Sequence, residues 1–384
     1  MTRCTRSVLR AIAFAALLAL PVAAQAQGVW PRERAAAWQR EAGWLVGSNY
    51  APSTAINQLE MWQAETFDPR TIDRELGWAQ SIGLNTMRVF LHDLAYKQDP
   101  RGFLDRVDQY LAIADRHGIR TMLVIFDGVW DPFPRPGRQR APRPHLHNSG
   151  WVQSPGLDIL TDTARHDELE GYVKAVVGRF ASDRRVVAWD LFNEPDNTNP
   201  SSYFVYEPDN KAELSLALLR KTFRWARAVN PSQPLTVGVW RGDWRDPAKL
   251  SPLTGFMLAN SDVITFHSYD PPATLRPLVD ALERYGRPIV CTEYMARPRG
   301  STFAAILPIL KEEGVGAYNW GMVQGKSQTI YPWVTWDRHY TAEPDVWFHD
   351  IFRTDGRPYD PREVELIRRL TGRGSAPRPT SGTR

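Results

Sequence analysis

Eight short apolar runs, recurring at intervals near those of a strand-helix-strand unit, constrain this chain more than any other feature. They cover residues 44–48, 86–91, 121–126, 186–192, 235–240, 263–267, 289–292 and 316–320. A strand buried on both faces reads as a continuous apolar run, and a parallel sheet covered by helices is what buries both faces. Amphipathic, helix-like stretches fall between the runs at 71–82, 102–117, 167–180, 211–229, 275–285 and 303–313, with a last one at 361–370 to close the ring. For the fifth helix only 242–253 is available, a short stretch that holds Pro247 and Pro252. Eight repeats, with no glycine-rich phosphate turn after the first strand, predict an α/β chain folded as a single-domain (β/α)8 TIM barrel rather than an open doubly wound sheet.

Three connections are longer than ordinary βα loops: 128–166, 195–210 and 321–350, after strands 3, 4 and 8. All lie at carboxyl ends of strands, the face on which such barrels build their sites. The first 26 residues read as a cleavable secretory signal: Arg3, Arg6 and Arg10 are the basic start, 11–20 the apolar core and Ala24-Gln25-Ala26 the cleavage site. Cys4 lacks the context of a lipid attachment site, and no other run could span a bilayer, so a secreted or periplasmic product without a membrane anchor is expected. The barrel domain is expected over 27–371, and the Gly, Pro, Ser, Thr and Arg-rich 372–384 as a disordered tail.

Of 47 basic residues three lie in the leader, so the remainder nearly balance the 43 acidic ones. That leaves no basic stripe for nucleic acid. Cys291 is the lone cysteine after the leader and has no partner for an internal disulfide, so stability must come from the large core that roughly 350 residues can supply. A monomer is expected.

The run Val186-Val187-Ala188-Trp189-Asp190-Leu191-Phe192 ends in Asn193-Glu194-Pro195, and a second carboxylate, Glu293, ends the seventh run. Three strand-helix units separate them, which puts the two carboxyl groups opposite each other across the barrel mouth. Hydrolysis of a glycosidic bond needs two such groups, one as proton donor and one as nucleophile or base. Two solvated strand-end carboxylates are the bland alternative, against which the flanking Asn193 and Pro195 speak.

The Asn193-Glu194-Pro195 motif with Glu293 on a later strand resembles glycoside hydrolase clan A, in particular the cellulase-like family five of retaining β-glycosidases on (β/α)8 barrels. The resemblance spans almost the whole chain after the leader. It implies that Glu194 is the general acid/base, Glu293 the nucleophile and Asn193 the amide that bonds the sugar 2-hydroxyl. It further implies that Arg88 in Met87-Arg88-Val89-Phe90 supports the nucleophile, that His267 and Tyr269 form the strand-six pair, and that Trp320 is the aromatic floor beneath the sugar. One position departs: many family members carry histidine after strand three, whereas this chain has Phe126-Asp127-Gly128, which bears on the substrate and not on the two-glutamate mechanism.

In a retaining site the carboxyl groups lie roughly 5–5.5 Å apart, so the charge on Glu293 is expected to raise the proton affinity of Glu194. Among the 15 tryptophans, Trp130 and Trp151 in the third loop are candidate sugar platforms, as are Trp240, Trp244, Trp333 and Trp336, while Trp38, Trp78, Trp189 and Trp225 read as structural. Asp127 and Asp131 read as sugar-hydroxyl partners or loop caps. His145 and His147 lack further ligands at metal spacing, so neither a metal nor a nucleotide cofactor is expected. The resulting expectation is an endo-β-glycanase-like O-glycosyl hydrolase for a β-glucan, β-mannan or xylan carbohydrate. A transglycosylase on the same fold and a non-catalytic glycan-binding barrel are the rivals.

Overall fold

The computed structural model describes residues 28–373. The expected leader, 1–26, lies outside them, as does the expected tail beyond Arg373. Eight parallel strands make one sheet: β1 (Val46–Asn49), β2 (Thr86–Phe90), β3 (Arg120–Val124), β4 (Val186–Asp190), β5 (Leu235–Thr236), β6 (Ile264–His267), β7 (Ile289–Tyr294) and β8 (Gly316–Trp320). Their order is β5-β4-β3-β2-β1-β8-β7-β6. A parallel bridge between Val239 and Phe266 closes the seam, with Val239 N donating to Thr265 O and His267 N to Val239 O, each at 3.0 Å. The sheet is therefore a barrel, with its helices outside.

Proline marks several helix starts. Asp68-Pro69, Asp99-Pro100, Ser251-Pro252 and Asp360-Pro361 each pair a side chain that accepts a first-turn N–H with a proline that has none to lose. This corrects the fifth helix, which is Pro252–Asn260 and not 242–253. Pro252 starts it instead of interrupting it, and the expected stretch is loop with one short turn at Pro247–Lys249. Strand β5 is also shorter than its apolar run, because Val237 N turns to the Ser261 hydroxyl (3.2 Å) before the chain meets β6 at Val239.

The helix Arg32–Ala42, absent from the sequence reading, plugs the end of the barrel where the strands begin. Ala42 and Leu45 pack there with Met122, Val187, Val290 and Tyr318, and Trp38 Nε1 donates to Val187 O at 3.0 Å. With that end closed, the carboxyl end is left for ligands. No helix among the described residues is long and apolar enough to cross a membrane.

Candidate active site

Arg88, on β2 and fully buried, organises the barrel mouth. Its five N–H groups make five bonds: Nε and Nη2 to Asp190 Oδ2 (3.0 and 2.7 Å), Nη1 to Asn49 Oδ1 and Glu293 Oε1 (2.8 Å each), and Nη2 to Asn193 Oδ1 (2.7 Å). A guanidinium has five donors in a rigid fork, so none is idle. Thus one cation ties together β1, β4 and β7.

Glu194 and Glu293 face each other at this mouth. With His267 they place one ligand atom each within 4.8 Å of one another, a spacing that could hold a metal ion. Tyr269 Oη donates to Glu293 Oε2 at 2.7 Å, and Asn197 Nδ2 donates to Glu194 Oε2 at 2.6 Å. His267 Nδ1 and Glu194 Oε1 are hydrogen-bonded at 2.8 Å. Burial lowers His267 to about 4, so its ring is neutral at pH 7.

The two carboxyl groups differ in what surrounds them. Burial pushes Glu194 up to about 7, the Asn197 bond opposes it, and the charge of Asp196 adds to it. Burial also raises Glu293, and the charge of Glu194 adds to it, while Arg88 and the Tyr269 bond favour its ionised form. Burial, and not the expected charge of Glu293, is thus what raises Glu194, and the influence between the two falls on Glu293, which Glu194 raises. The Glu194 backbone is in the left-handed region, φ 41°, a conformation that costs roughly 1–3 kcal/mol outside glycine. It is held by Asn197 N donating to Glu194 O at 3.0 Å and by Gly128, where any side chain would begin 2.5 Å from that oxygen.

A cleft of about 250 Å³ opens over the pair, lined among others by Trp130, Trp151, Asn193, Trp240, Tyr269, Trp320 and Trp333. All the expected polar site residues meet at its base. Trp320 lines the cleft, edge-on to Phe90 and Trp151. Trp151 is 4% exposed and offers the cleft little more than an edge, so it is more a wall than a platform. Trp130 stacks on Trp336 (5.5 Å, 16°), joining the third and eighth loops, and Trp336 Nε1 and the Tyr331 carbonyl both bond His147. Trp244 is buried. Asp131 is a loop cap, and Asp127 is too deep to meet a sugar.

The sequence reading missed Asn197, Asp190 and Asn49. Asp190 was visible as the one charge in an apolar run. It also missed the ion pair of Lys211 and Glu207 (2.7 Å), both side chains 1% exposed, in which Lys211 Nζ binds the Gly128 carbonyl at 2.8 Å and ties two loops together behind Glu194.

A closed barrel with two carboxyl groups across its mouth, one oxygen of each within 4.8 Å of the other, is a scaffold of the clan A glycosidase type. The model of the cellulase family, glycosyl hydrolase family 5, matches residues 53–326, and the chain belongs to that family. Among curated proteins it is similar to mannan endo-1,4-beta-mannosidase A of Aspergillus aculeatus, 28% identical over 92 residues, which are 24% of this chain and 22% of that protein. The chain spans between about a fifth and two fifths of the length of the curated relatives it matches. Among solved structures it is similar to the exo-beta-1,4-mannosidase Op5Man5 from Opitutaceae bacterium strain TAV5 (TM-score 0.58, 20% identity, 86% of this chain and 60% of that one). It is also similar to the endo-beta-1,4-mannanase from Thermotoga petrophila (TM-score 0.54, 16% identity, 86% and 76%). At these identities the likeness is one of fold.

Proposed function

We propose that this chain is an exported retaining glycoside hydrolase acting on a β-linked glycan of the mannan type. The observation that carries the reading is the Glu194 and Glu293 pair, with one oxygen of each within 4.8 Å of the other, which favours the close spacing of a retaining pair over the roughly 6.5–9.5 Å of an inverting one. The matched mannanases favour a β-1,4-mannan backbone and endo-β-glycanase-like cleavage. The leader-like first 26 residues favour export.

Roles follow from the surroundings of each carboxyl group. Glu293, held ionised by Arg88 and Tyr269, attacks the anomeric carbon. The bond to the leaving oxygen breaks as Glu194 gives that oxygen its proton. In the second half Glu194 takes a proton from water, the water oxygen bonds the same carbon, and Glu293 leaves as carboxylate. Two displacements return the β configuration. Asn193 and the floor of Trp320 hold the sugar between them.

The test is a product screen of the mature protein on β-mannans, β-glucans and xylans, with Glu293→Gln as control, followed by azide rescue. Glu293→Ala with azide should yield an α-glycosyl azide, whereas Glu194→Ala should yield the β product and keep its rate on aryl glycosides with good leaving groups. Equal loss for Glu194→Ala on activated and natural substrates would refute its acid role, and cleavage of glucan or xylan alone would move the substrate.

A further inference from the structure

Asp127 follows β3 and is 1% exposed, yet nothing in the double displacement uses it. Four N–H groups converge on its carboxyl. Oδ1 accepts from Asn193 Nδ2 (2.9 Å) and Val129 N (3.2 Å), and Oδ2 accepts from Trp151 Nε1 (2.6 Å) and Gln58 Nε2 (3.0 Å). A protonated acid would turn a donor toward one of these donors, so the arrangement is built for the carboxylate.

The consequence for Asn193 is geometric. Its Oδ1 is taken by Arg88 and one Nδ2 hydrogen by Asp127, so the amide cannot flip. The second Nδ2 hydrogen has no protein partner among the described residues, and Asn193 lines the cleft. The carboxylate at its back polarises that amide and fixes the direction of the free hydrogen. Through Trp151 the same carboxylate fixes the wall that meets Trp320 edge-on at 5.9 Å.

We propose that Asp127 is a positioning residue that acts through Asn193 on the sugar hydroxyl beside the reacting carbon. The inference rests on the proposed role of Asn193 at the 2-hydroxyl. The charged groups facing Asp127 are Glu194, Arg88 and Lys211, while the helix Gln58–Trp62 and residues 151–154 face it with Gln58 and Trp151. Burial is the largest influence on its proton affinity and places it at about 6, inside the range where the network can be switched by pH.

The experiment compares kcat/KM for an aryl β-mannoside and for its 2-deoxy counterpart. Wild type, Asp127→Asn, Asn193→Ala and the double variant are measured, each first checked for folding by its urea unfolding midpoint. Asn193→Ala should collapse the preference for the 2-hydroxyl substrate. Asp127→Asn should lower that preference about tenfold, the worth of one well-made hydrogen bond. The double variant should prefer it no less than Asn193→Ala alone, because both act on one contact. In wild type the preference should be full above pH 6 and decline below it as Asp127 takes a proton. That readout needs no variant, and the ratio cancels the titration of Glu194 common to both substrates. If Asp127→Asn slows both substrates by one factor, or the wild-type ratio is flat with pH, Asp127 is structural and the inference falls. If Asn193→Ala leaves the ratio intact, the reading of Asn193 falls instead.

Discussion

Replacing Arg88 by lysine keeps the charge and removes the fork. Five acceptor contacts on Asp190, Asn49, Glu293 and Asn193 then compete for three hydrogens on one point, so at least two go unmade around a fully buried side chain. Breaking a buried ion pair typically costs about 3–5 kcal/mol, and a charge-assisted hydrogen bond is worth about 1.5–3 kcal/mol. Because lysine still neutralises one carboxylate, the expected loss in unfolding free energy is about 3 kcal/mol, which leaves a folded protein if its stability lies in the ordinary range of about 5–15 kcal/mol. Tryptophan fluorescence during urea unfolding reads that loss. The rate should fall more than stability suggests, by about a hundredfold in kcat/KM, because Glu293 and Asn193 both lose a fixed partner. Arg88→Met separates charge from geometry. Without the cation Glu293 binds its proton more tightly, so the acid limb of kcat/KM moves to higher pH, whereas Arg88→Lys should leave that limb nearly in place. An Arg88→Lys protein within about 0.5 kcal/mol of wild type, the scatter of an ordinary surface substitution, would refute the claim that one guanidinium assembles the mouth.

The acid role of Glu194 predicts a basic limb of kcat/KM near pH 7, lost in Glu194→Gln, whose residual rate should be flat there. The sign for stability follows. A carboxyl whose folded pKa is raised is ionised first in the unfolded chain, so folding weakens as pH rises between its ordinary range and about 7. Glu194→Gln should therefore unfold at higher urea than wild type at pH 8 and near the wild-type midpoint at pH 4, and a lower midpoint at pH 8 would contradict this. Lys211→Met strands Glu207 in the interior and should cost about 3–5 kcal/mol, while adding Glu207→Gln should recover much of it. No recovery in the double variant would mean that Lys211 acts through the Gly128 carbonyl and not through the pair.

The barrel was legible because burial on both faces writes each strand as an unbroken apolar run. Gly316–Trp320 lies where its run does. The same rule overread β5, since apolarity marks burial and not pairing, and Val237 is buried while bonded to a serine hydroxyl. It missed Arg32–Ala42, which buries fully only the two small residues Ala35 and Ala42 and so writes a weak apolar face. In the site, Asn193-Glu194-Pro195 and Glu293 stood out because a polar group ending a buried run has few structural reasons to be there. The partners that tune them did not. Asn197 and Asp196 look like loop residues, and Lys211 with Glu207 looks like a surface helix pair until the fold buries both. Gln58 and Asp127 lie 69 residues apart, a separation over which no local pattern operates.

The proposed roles of acid and nucleophile rest on an asymmetry that the chain creates once. Asp190 and Glu293 are both bonded to Arg88 and Asp127 stands behind Asn193, so negative charge already exceeds positive at the mouth before Glu194 is counted. Ionising Glu194 as well would bury a further uncompensated charge, so one proton is retained. It stays on the carboxyl that has no arginine bond and whose oxygens meet a neutral imidazole and an amide. The carboxyl at 2.8 Å from Arg88 gives its proton up. Geometry alone would let either glutamate attack, and it is the reach of Arg88 from β2 to β7, and not to the residue after Asn193, that separates their proposed roles.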